Sequence, residues 1–223
     1  WLVSNLSRLL PGGIWQYPSR VYLLSQNGVS KTVGIAAVLI ESAFNLGVGA
    51  AVVLISLTLW QLPDNFRNFG SLLVIFLFFL LVIVVFINRK IVIGFFKIVK
   101  KITGKEINID MSGLTVKWIP PLILSFFLKF IFIGSALFFL IKLLTPFDIF
   151  LLPIVIGMFS LSWLLGYITI IAPSGLGVQE ISIATMLSFY MPFPMASMIA
   201  ILFRLMLLIT EAIAVFFVKI IFK

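Results

Sequence analysis

The chain of 223 residues is 62% hydrophobic and only 10% charged, and it carries a formal net charge of +9. This composition lies outside the range of soluble globular domains and predicts a polytopic membrane protein. The basic residues cluster in short polar connections, a pattern typical of membrane topology and anionic lipid headgroups and not of nucleic-acid binding. Because the chain has no cysteine and no histidine, disulfides, thiol or imidazole catalysis and Cys/His zinc sites are excluded.

The first polar cluster, residues 8–20, combines arginine with proline, glycine and aromatic residues. Trp15, Tyr17 and Tyr22 are typical of an interfacial aromatic belt. Arg20 is predicted to bind a lipid headgroup, because a guanidinium fork matches phosphate oxygens. The first ten residues lack the pattern of a cleavable signal peptide, and since the chain opens on tryptophan we expect further spans upstream of it.

Five apolar windows are candidates for spans of about 20 residues, namely 33–60, 71–87, 119–144, 149–172 and 195–221. Segment 178–191 is too short to cross comfortably, so it is either a re-entrant half-helix or a tilted, broken span. The predicted fold is an all-α, polytopic transmembrane helical bundle with discontinuous or re-entrant helices. It forms a single transmembrane domain over residues 1–223.

Residues 88–118 form a long polar stretch rich in lysine and arginine. The positive-inside rule predicts that this loop is cytoplasmic, which places 61–70 outside and 19–31 inside. Ile91, Phe95, Ile98 and Ile102 fall at helical spacing, which predicts an interfacial helix within the loop. The alternative is a basic surface loop that only sets orientation.

Several polar side chains interrupt the predicted spans. Each charge at a helix centre costs roughly 2.5–3.5 kcal/mol, so these side chains are expected to face inward, pair or touch water. Glu41 and Asn45 share one helix face, and Glu41 needs a partner from another helix. Arg204 and Glu211 lie seven residues apart on one face of the last helix. The long stem of Lys129 can carry its ammonium toward an interface. The alternative is that the ion pairs only lock helices together.

The segment 173–180 breaks an apolar run with Pro173, Gly175 and Gly177. Non-helical backbone at membrane depth is tolerated only where protein buries it or where it lines a wet cavity. The helix that begins near Val178 would present free N–H groups suited to a phosphate. Alternatively, Glu180 in its first turn satisfies that helix end and the segment is a capped break. A nucleotide-binding loop is disfavoured, because no strand precedes the glycines and no Lys-Ser/Thr follows them.

Residues 11–14 and 173–176 share the pattern Pro-x-Gly-aliphatic, and each is followed by a short amphipathic piece and a long apolar helix. At the same offset Ser42 corresponds to Arg204. The pattern predicts two related repeats, and inverted repeats that meet at a midplane site are a familiar transporter design.

Two sequence phrases resemble those of the lysylphosphatidylglycerol synthase transmembrane (flippase-domain) family. They are Leu10-Pro-Gly-Gly-Ile-Trp-Gln-Tyr17 with Arg20, and Pro173-Ser-Gly-Leu-Gly-Val-Gln-Glu180. The resemblance extends from Leu6 to about Val218. It implies an integral membrane protein associated with flipping of aminoacylated phosphatidylglycerol or with polyprenyl-linked sugar pathways. Gln179 stands where that family often has Arg, and Ser42 and Asn45 stand where it often has Arg and Asp. The soluble aminoacyltransferase domain of some members is not part of this sequence, so an enzyme activity of that kind is not implied.

The first hypothesis is therefore a multi-pass cell-membrane flippase or transporter that moves an anionic or aminoacylated phospholipid, or a polyprenyl-linked substrate, along a polar groove. It needs no cofactor or metal, and its oligomeric state is open, a homo-oligomer included. Arg20 and Arg204 would hold phosphate, and Glu180 and Glu211 would orient them. The predicted substrate-binding residues are Arg20, Glu41, Asn45, Pro173, Gly175, Gly177, Gln179, Glu180, Arg204 and Glu211.

Two other classes of function stay open. In a membrane enzyme, or its partner, in a lipid-linked sugar (glycosyltransferase) pathway, Glu41, Asp64 or Glu180 would act as a base or metal ligand. In an assembly scaffold, the lipid-facing surfaces would matter more than the charged positions.

Overall fold

The computed structural model describes residue 4 and residues 15–59, 119–169 and 175–221. These residues form six α-helices and one 3-10 turn, with no strand among them. The helices are α1 (Gln16–Gln26), α2 (Lys31–Leu59), α3 (Ile119–Leu144), α4 (Leu152–Ile168, preceded by the turn Ile149–Leu151), α5 (Val178–Leu187) and α6 (Phe193–Ile221). The predicted all-α class is confirmed.

Within the described part of the chain, four stretches are long and apolar enough to cross a membrane, namely Val33–Leu59, Pro120–Leu144, Ile149–Tyr167 and Phe193–Phe217. They correspond to four of the five predicted windows. The fifth window, 71–87, and the predicted basic loop 88–118 lie outside the described residues. Prolines stand in the first turns of α3, α4 and α6, where a missing N–H leaves no hydrogen bond unmade.

The window predicted at 149–172 is too long, because α4 ends at Ile168 with Thr169 as its C-cap. A proline ring clashes with the carbonyl four residues before it, so Pro173 does not allow helix through residue 169. Length and hydropathy alone do not carry this information.

Helix α4 lies at the centre of the bundle, where it packs against α2, α3 and α5. Of its apolar stretch 44% is buried, compared with 22–28% for the other three. Its serines Ser160 and Ser162 are fully buried and donate hydrogen bonds to backbone carbonyls one turn back, at 2.8 Å each. The helix therefore places its polar side chains inside the protein without leaving these hydroxyls unsatisfied.

Helix α5 is half the length of a span. Its 10 residues extend over about 15 Å, compared with about 30 Å of hydrocarbon. It folds back on α6 as an antiparallel hairpin, so that Glu180 near its start contacts Arg204. Arg204 lies one residue from the midpoint of the apolar stretch Phe193–Phe217. Helix α5 therefore begins at mid-depth, the geometry of the re-entrant half-helix rather than of a crossing.

The hairpins α1–α2 and α5–α6 point in opposite directions. Ser56 near the end of α2 donates a hydrogen bond to the carbonyl of Pro153 at the start of α4, so α2 and α4 are antiparallel. Phe147 before α4 makes an edge-to-face contact with Tyr190 before α6, so α4 and α6 begin on the same side. The α5–α6 corner consequently lies where α2 ends, and the α1–α2 corner lies on the other side. Helix α6 ends on the side of the α1–α2 corner.

The two hairpins also match in length and spacing. Helices α1 and α5 have 11 and 10 residues. The starts of the short helices (16 and 178) and the starts of the long helices (31 and 193) are both 162 residues apart. The first sequence phrase of the predicted repeat, 11–14, lies outside the described residues, so the repeat stays a prediction that these lengths favour.

Candidate functional site

The α5–α6 hairpin contains an ion pair at mid-depth. Arg204 Nε lies 3.2 Å from Glu180 Oε1, and Arg204 Nη1 donates a hydrogen bond to Gln179 Oε1 at 2.9 Å. The side chains of Arg204 and Glu180 are only 10% and 15% exposed. Two neighbours on α5 thus hold one guanidinium at the depth where an isolated charge is most costly.

Glu180 also caps the helix on which it lies. Its Oε2 accepts a hydrogen bond of 2.7 Å from the N–H of Gly177, and Gly177 has a positive φ of 84°. A carboxylate in the first turn stabilises the partial positive charge of a helix N-terminus. The capped break that the sequence leaves open is therefore present, and the same carboxylate serves both the cap and the guanidinium.

The start of α5 packs tightly against the end of α4 through two glycines. A Cβ on Gly166 would lie 2.5 Å from Gln179 Cγ. A Cβ on Gly175, whose φ is +68°, would lie 2.9 Å from the Cα of Gly166. Only residues without a side chain fit here. Gly166 is a site residue that sequence reasoning missed, because a glycine inside an apolar run carries no signal of its own.

The α1–α2 hairpin contains a second ion pair. Arg20 Nη1 donates a hydrogen bond to Glu41 Oε2 at 2.9 Å, and Arg20 Nε donates one to Ser4 Oγ at 3.2 Å. The expectation that Glu41 takes its partner from another helix is confirmed. The charges are exchanged relative to the α5–α6 hairpin: here the short helix supplies the arginine and the long helix the glutamate.

Lys129 joins α3 to α2 and α4 inside the bundle. Its Nζ donates a hydrogen bond to Asn45 Oδ1 and lies 4.2 Å and 4.5 Å from the ring centroids of Phe130 and Trp163. The interpretation that its stem reaches toward an interface is wrong, because an amide oxygen and two ring faces hold the ammonium at mid-bundle. The spacing of these partners along three different helices is invisible in one sequence.

Tyr17 connects the start of α1 to the end of α4 by a hydrogen bond to Tyr167. Trp163 stacks on Tyr167 with a centroid distance of 5.0 Å. Tyr17, assigned by its sequence context to an interfacial belt, thus contacts the interior.

These contacts gather around the last turns of α4. Tyr167 meets α1, the adjacent Gly166 meets α5, and Trp163 one turn earlier meets Lys129. The short helices of both hairpins therefore reach the same end of α4, at adjacent residues. The term "α4 cluster" is used below for Arg20, Glu41, Asn45, Lys129, Trp163, Gly166, Tyr167, Gln179, Glu180 and Arg204.

Four of the predicted site residues are not members of the α4 cluster: Gly175 and Gly177, which form the turn before α5, and Pro173 and Glu211. Pro173 is outside the described residues. Glu211 is partly buried on α6, about 10 Å along the helix axis from Arg204.

The sequence model described as "Lysylphosphatidylglycerol synthase TM region" matches residues 2–214. No curated protein and no solved structure matches the chain.

Proposed function

Since the chain belongs to the lysylphosphatidylglycerol synthase transmembrane family, and is a multi-pass integral membrane protein, we propose that it moves a lipid headgroup across the bilayer along the α4 cluster. The headgroup contains a phosphate, as in an anionic or aminoacylated phospholipid or a polyprenyl-linked substrate. The acyl or prenyl chains stay in the hydrocarbon. The observation that carries this proposal is the pair of charge-exchanged ion pairs on two oppositely directed hairpins.

Stability alone is a weak reason for these ion pairs. Replacing a buried pair by well-packed apolar residues is often neutral or stabilising by about 1–4 kcal/mol. A chain that is 62% hydrophobic has ample apolar side chains for such packing. Intramembrane charges facing a bundle interior mark substrate pathways in membrane proteins, and Arg20 and Arg204 are therefore assigned to the substrate.

Arg204 is placed to exchange one anionic partner for another. A phosphate binds a guanidinium with two parallel hydrogen bonds and would compete with Glu180 Oε1 for Arg204. Glu180 would not become an isolated charge, because its Oε2 already accepts from Gly177 at the N-terminus of α5. Gln179 keeps its hydrogen bond to Arg204 and orients the guanidinium during the exchange.

Arg20 has the equivalent role on the other hairpin. Its partner Glu41 lies on the long helix α2, and the α1–α2 corner lies on the opposite side of the bundle from the α5–α6 corner. Oppositely directed halves that meet at mid-depth are the usual architecture of secondary transporters. The headgroup would contact Arg20 from one side and Arg204 from the other.

The proposal is tested with proteoliposomes that contain fluorescent phosphatidylglycerol and a membrane-impermeant quencher. The fraction quenched reports headgroup movement. Arg204→Ala and Glu180→Ala are expected to slow movement strongly, whereas Thr210→Val, a change at an exposed polar residue of the same helix, is the matched control and leaves the rate unchanged. Unaltered movement in both site variants would refute the proposed path.

A further inference from the structure

We infer that Lys129 is an additional binding residue for the phosphate of the transported lipid, placed between Arg20 and Arg204. This inference rests on the proposed function and names a contact at the centre of the path. The ligand chemistry is a lipid-borne phosphate, whether the phosphodiester of a glycerophospholipid or the phosphate of a polyprenyl lipid.

The position of Lys129 is central in depth and in the α4 cluster. It lies three residues from the midpoint of the apolar stretch Pro120–Leu144. Its partner Asn45 lies one helical turn from Glu41, which holds Arg20. Its other partner, Trp163, lies one turn from Gly166, against which Gln179 packs. From Arg20 through Lys129 to Gln179 and Arg204, each successive pair of residues is therefore either in contact or one helical turn apart.

The partners of Lys129 orient its ammonium and leave it exchangeable. The ring faces of Phe130 and Trp163 attract a cation through their quadrupoles, and Asn45 offers a neutral oxygen. A phosphate oxygen carries a full negative charge and forms a stronger, charge-assisted hydrogen bond. The four-carbon stem of lysine can turn toward such a ligand without movement of the backbone.

The ring that carries the ammonium is fixed by the helix opposite. A Cβ on Gly49 of α2 would lie 2.8 Å from Phe130 Cζ, and Phe130 is fully buried. The absence of a side chain at residue 49 lets Phe130 reach the backbone of α2. This brings Lys129 to Asn45, and the site is therefore built by three helices and not by one flexible side chain.

Trp163 provides a direct readout, because the ammonium lies on its ring before a ligand binds. Changing Trp1, Trp15, Trp60 and Trp118 to Phe leaves Trp163 as the single tryptophan. The emission of Trp163 in maltoside micelles is then followed during titration with dihexanoyl phosphatidylglycerol, farnesyl phosphate or dihexanoylglycerol. Either phosphate lipid is expected to give a saturable change, and which of them does so identifies the source of the phosphate. An equal response to dihexanoylglycerol, which has no phosphate, would overturn the inference.

Lys129→Met is expected to raise the half-saturating concentration of the phosphate lipid about ten-fold or more. This factor corresponds to the loss of one charge-assisted hydrogen bond. Identical titrations with and without Lys129 would overturn the inference. Asn45→Leu keeps the ammonium and removes one acceptor that competes with the phosphate, so the phosphate lipid should bind more tightly. A purely structural lysine predicts the opposite, and weaker binding in Asn45→Leu would count against a ligand role.

The binding and transport experiments separate two failures. Lys129-dependent binding without headgroup movement in proteoliposomes would refute the proposed transport function but support phosphate binding by Lys129. If headgroup movement depends on Arg204 but the Trp163 titrations are the same with and without Lys129, only the inference about Lys129 would be refuted.

Discussion

Glu180→Gln removes the carboxylate charge beside Arg204 and keeps an amide oxygen that can accept from the Gly177 N–H. The cap of α5 is thus preserved, and the change isolates the ion pair. Breaking a buried pair by removing one partner costs about 3–5 kcal/mol, because the remaining charge stays buried. Since Arg204 is only 8% exposed but keeps Gln179 as an acceptor, we expect a loss near the lower end, about 3 kcal/mol in the free energy of unfolding.

Arg204→Met should lower the free energy of unfolding by less than Glu180→Gln does. Glu180 retains the Gly177 N–H and the helix N-terminus as partners, whereas Arg204 in Glu180→Gln loses this carboxylate and keeps the neutral acceptor Gln179. The double variant Glu180→Gln/Arg204→Met buries no charge at this position and should lie within about 1 kcal/mol of the parent protein. The double-mutant cycle should therefore give a coupling energy of about 2 kcal/mol or more.

Equilibrium unfolding in mixed SDS and maltoside micelles gives the free energy of unfolding of the parent protein, the two single variants and the double variant. Interhelical hydrogen bonds in a bilayer protein average about 0.6 kcal/mol in such cycles. A coupling energy of that size would show that Glu180 and Arg204 interact as an ordinary polar contact. In that case the charges of Glu180 and Arg204 would not be compensated mainly by each other.

The remaining predictions concern the other hairpin and the glycines. Arg20→Glu and Glu41→Arg should each lower the unfolding midpoint, and the double exchange should largely restore it without restoring headgroup movement; full recovery of movement would mean that the pair is only a lock. Gly166→Ala should lower the free energy of unfolding by about 1–3 kcal/mol, because the new methyl group overpacks against Gln179. Gly177→Ala meets open space and should lower it by about 1–2 kcal/mol through its positive φ alone. Equal effects of the two variants on lipid movement would argue against a special role of the α4–α5 contact. Tyr17→Phe should lose about 0.5–1.5 kcal/mol for the hydrogen bond to Tyr167, measurable as a lower melting temperature, and an unchanged melting temperature would contradict that bond.

Long apolar runs and helix breakers were sufficient to predict the four long helices of the described residues. The C-terminal end of α3 at Leu144 agrees with the predicted window 119–144 to the residue. The extra length assigned to α4 shows the limit of hydropathy, which does not register the steric effect of a proline further along the chain. The break before Val178 was predictable because glycine and proline act locally.

The partners of the charged residues were less predictable, because they depend on which helices become neighbours. The sequence required a partner for Glu41 and could not identify it as Arg20. It placed Glu211 on the same face as Arg204 but contained no sign that Glu180, on another helix, lies 3.2 Å from that guanidinium. Lys129 was misjudged for the same reason: its stem length is a local property, whereas the positions of Asn45 and Trp163 are not.

The exchange of charges between the hairpins has a consequence for biogenesis. Each hairpin carries its own counterion, so a nascent α1–α2 or α5–α6 segment can neutralise its buried charge without a side chain from any other helix. Partitioning from the translocon into lipid then avoids a penalty of roughly 2.5–3.5 kcal/mol for each exposed charge. The two segments can consequently integrate independently and in opposite orientations, and the order in which they leave the ribosome places no electrostatic constraint on assembly.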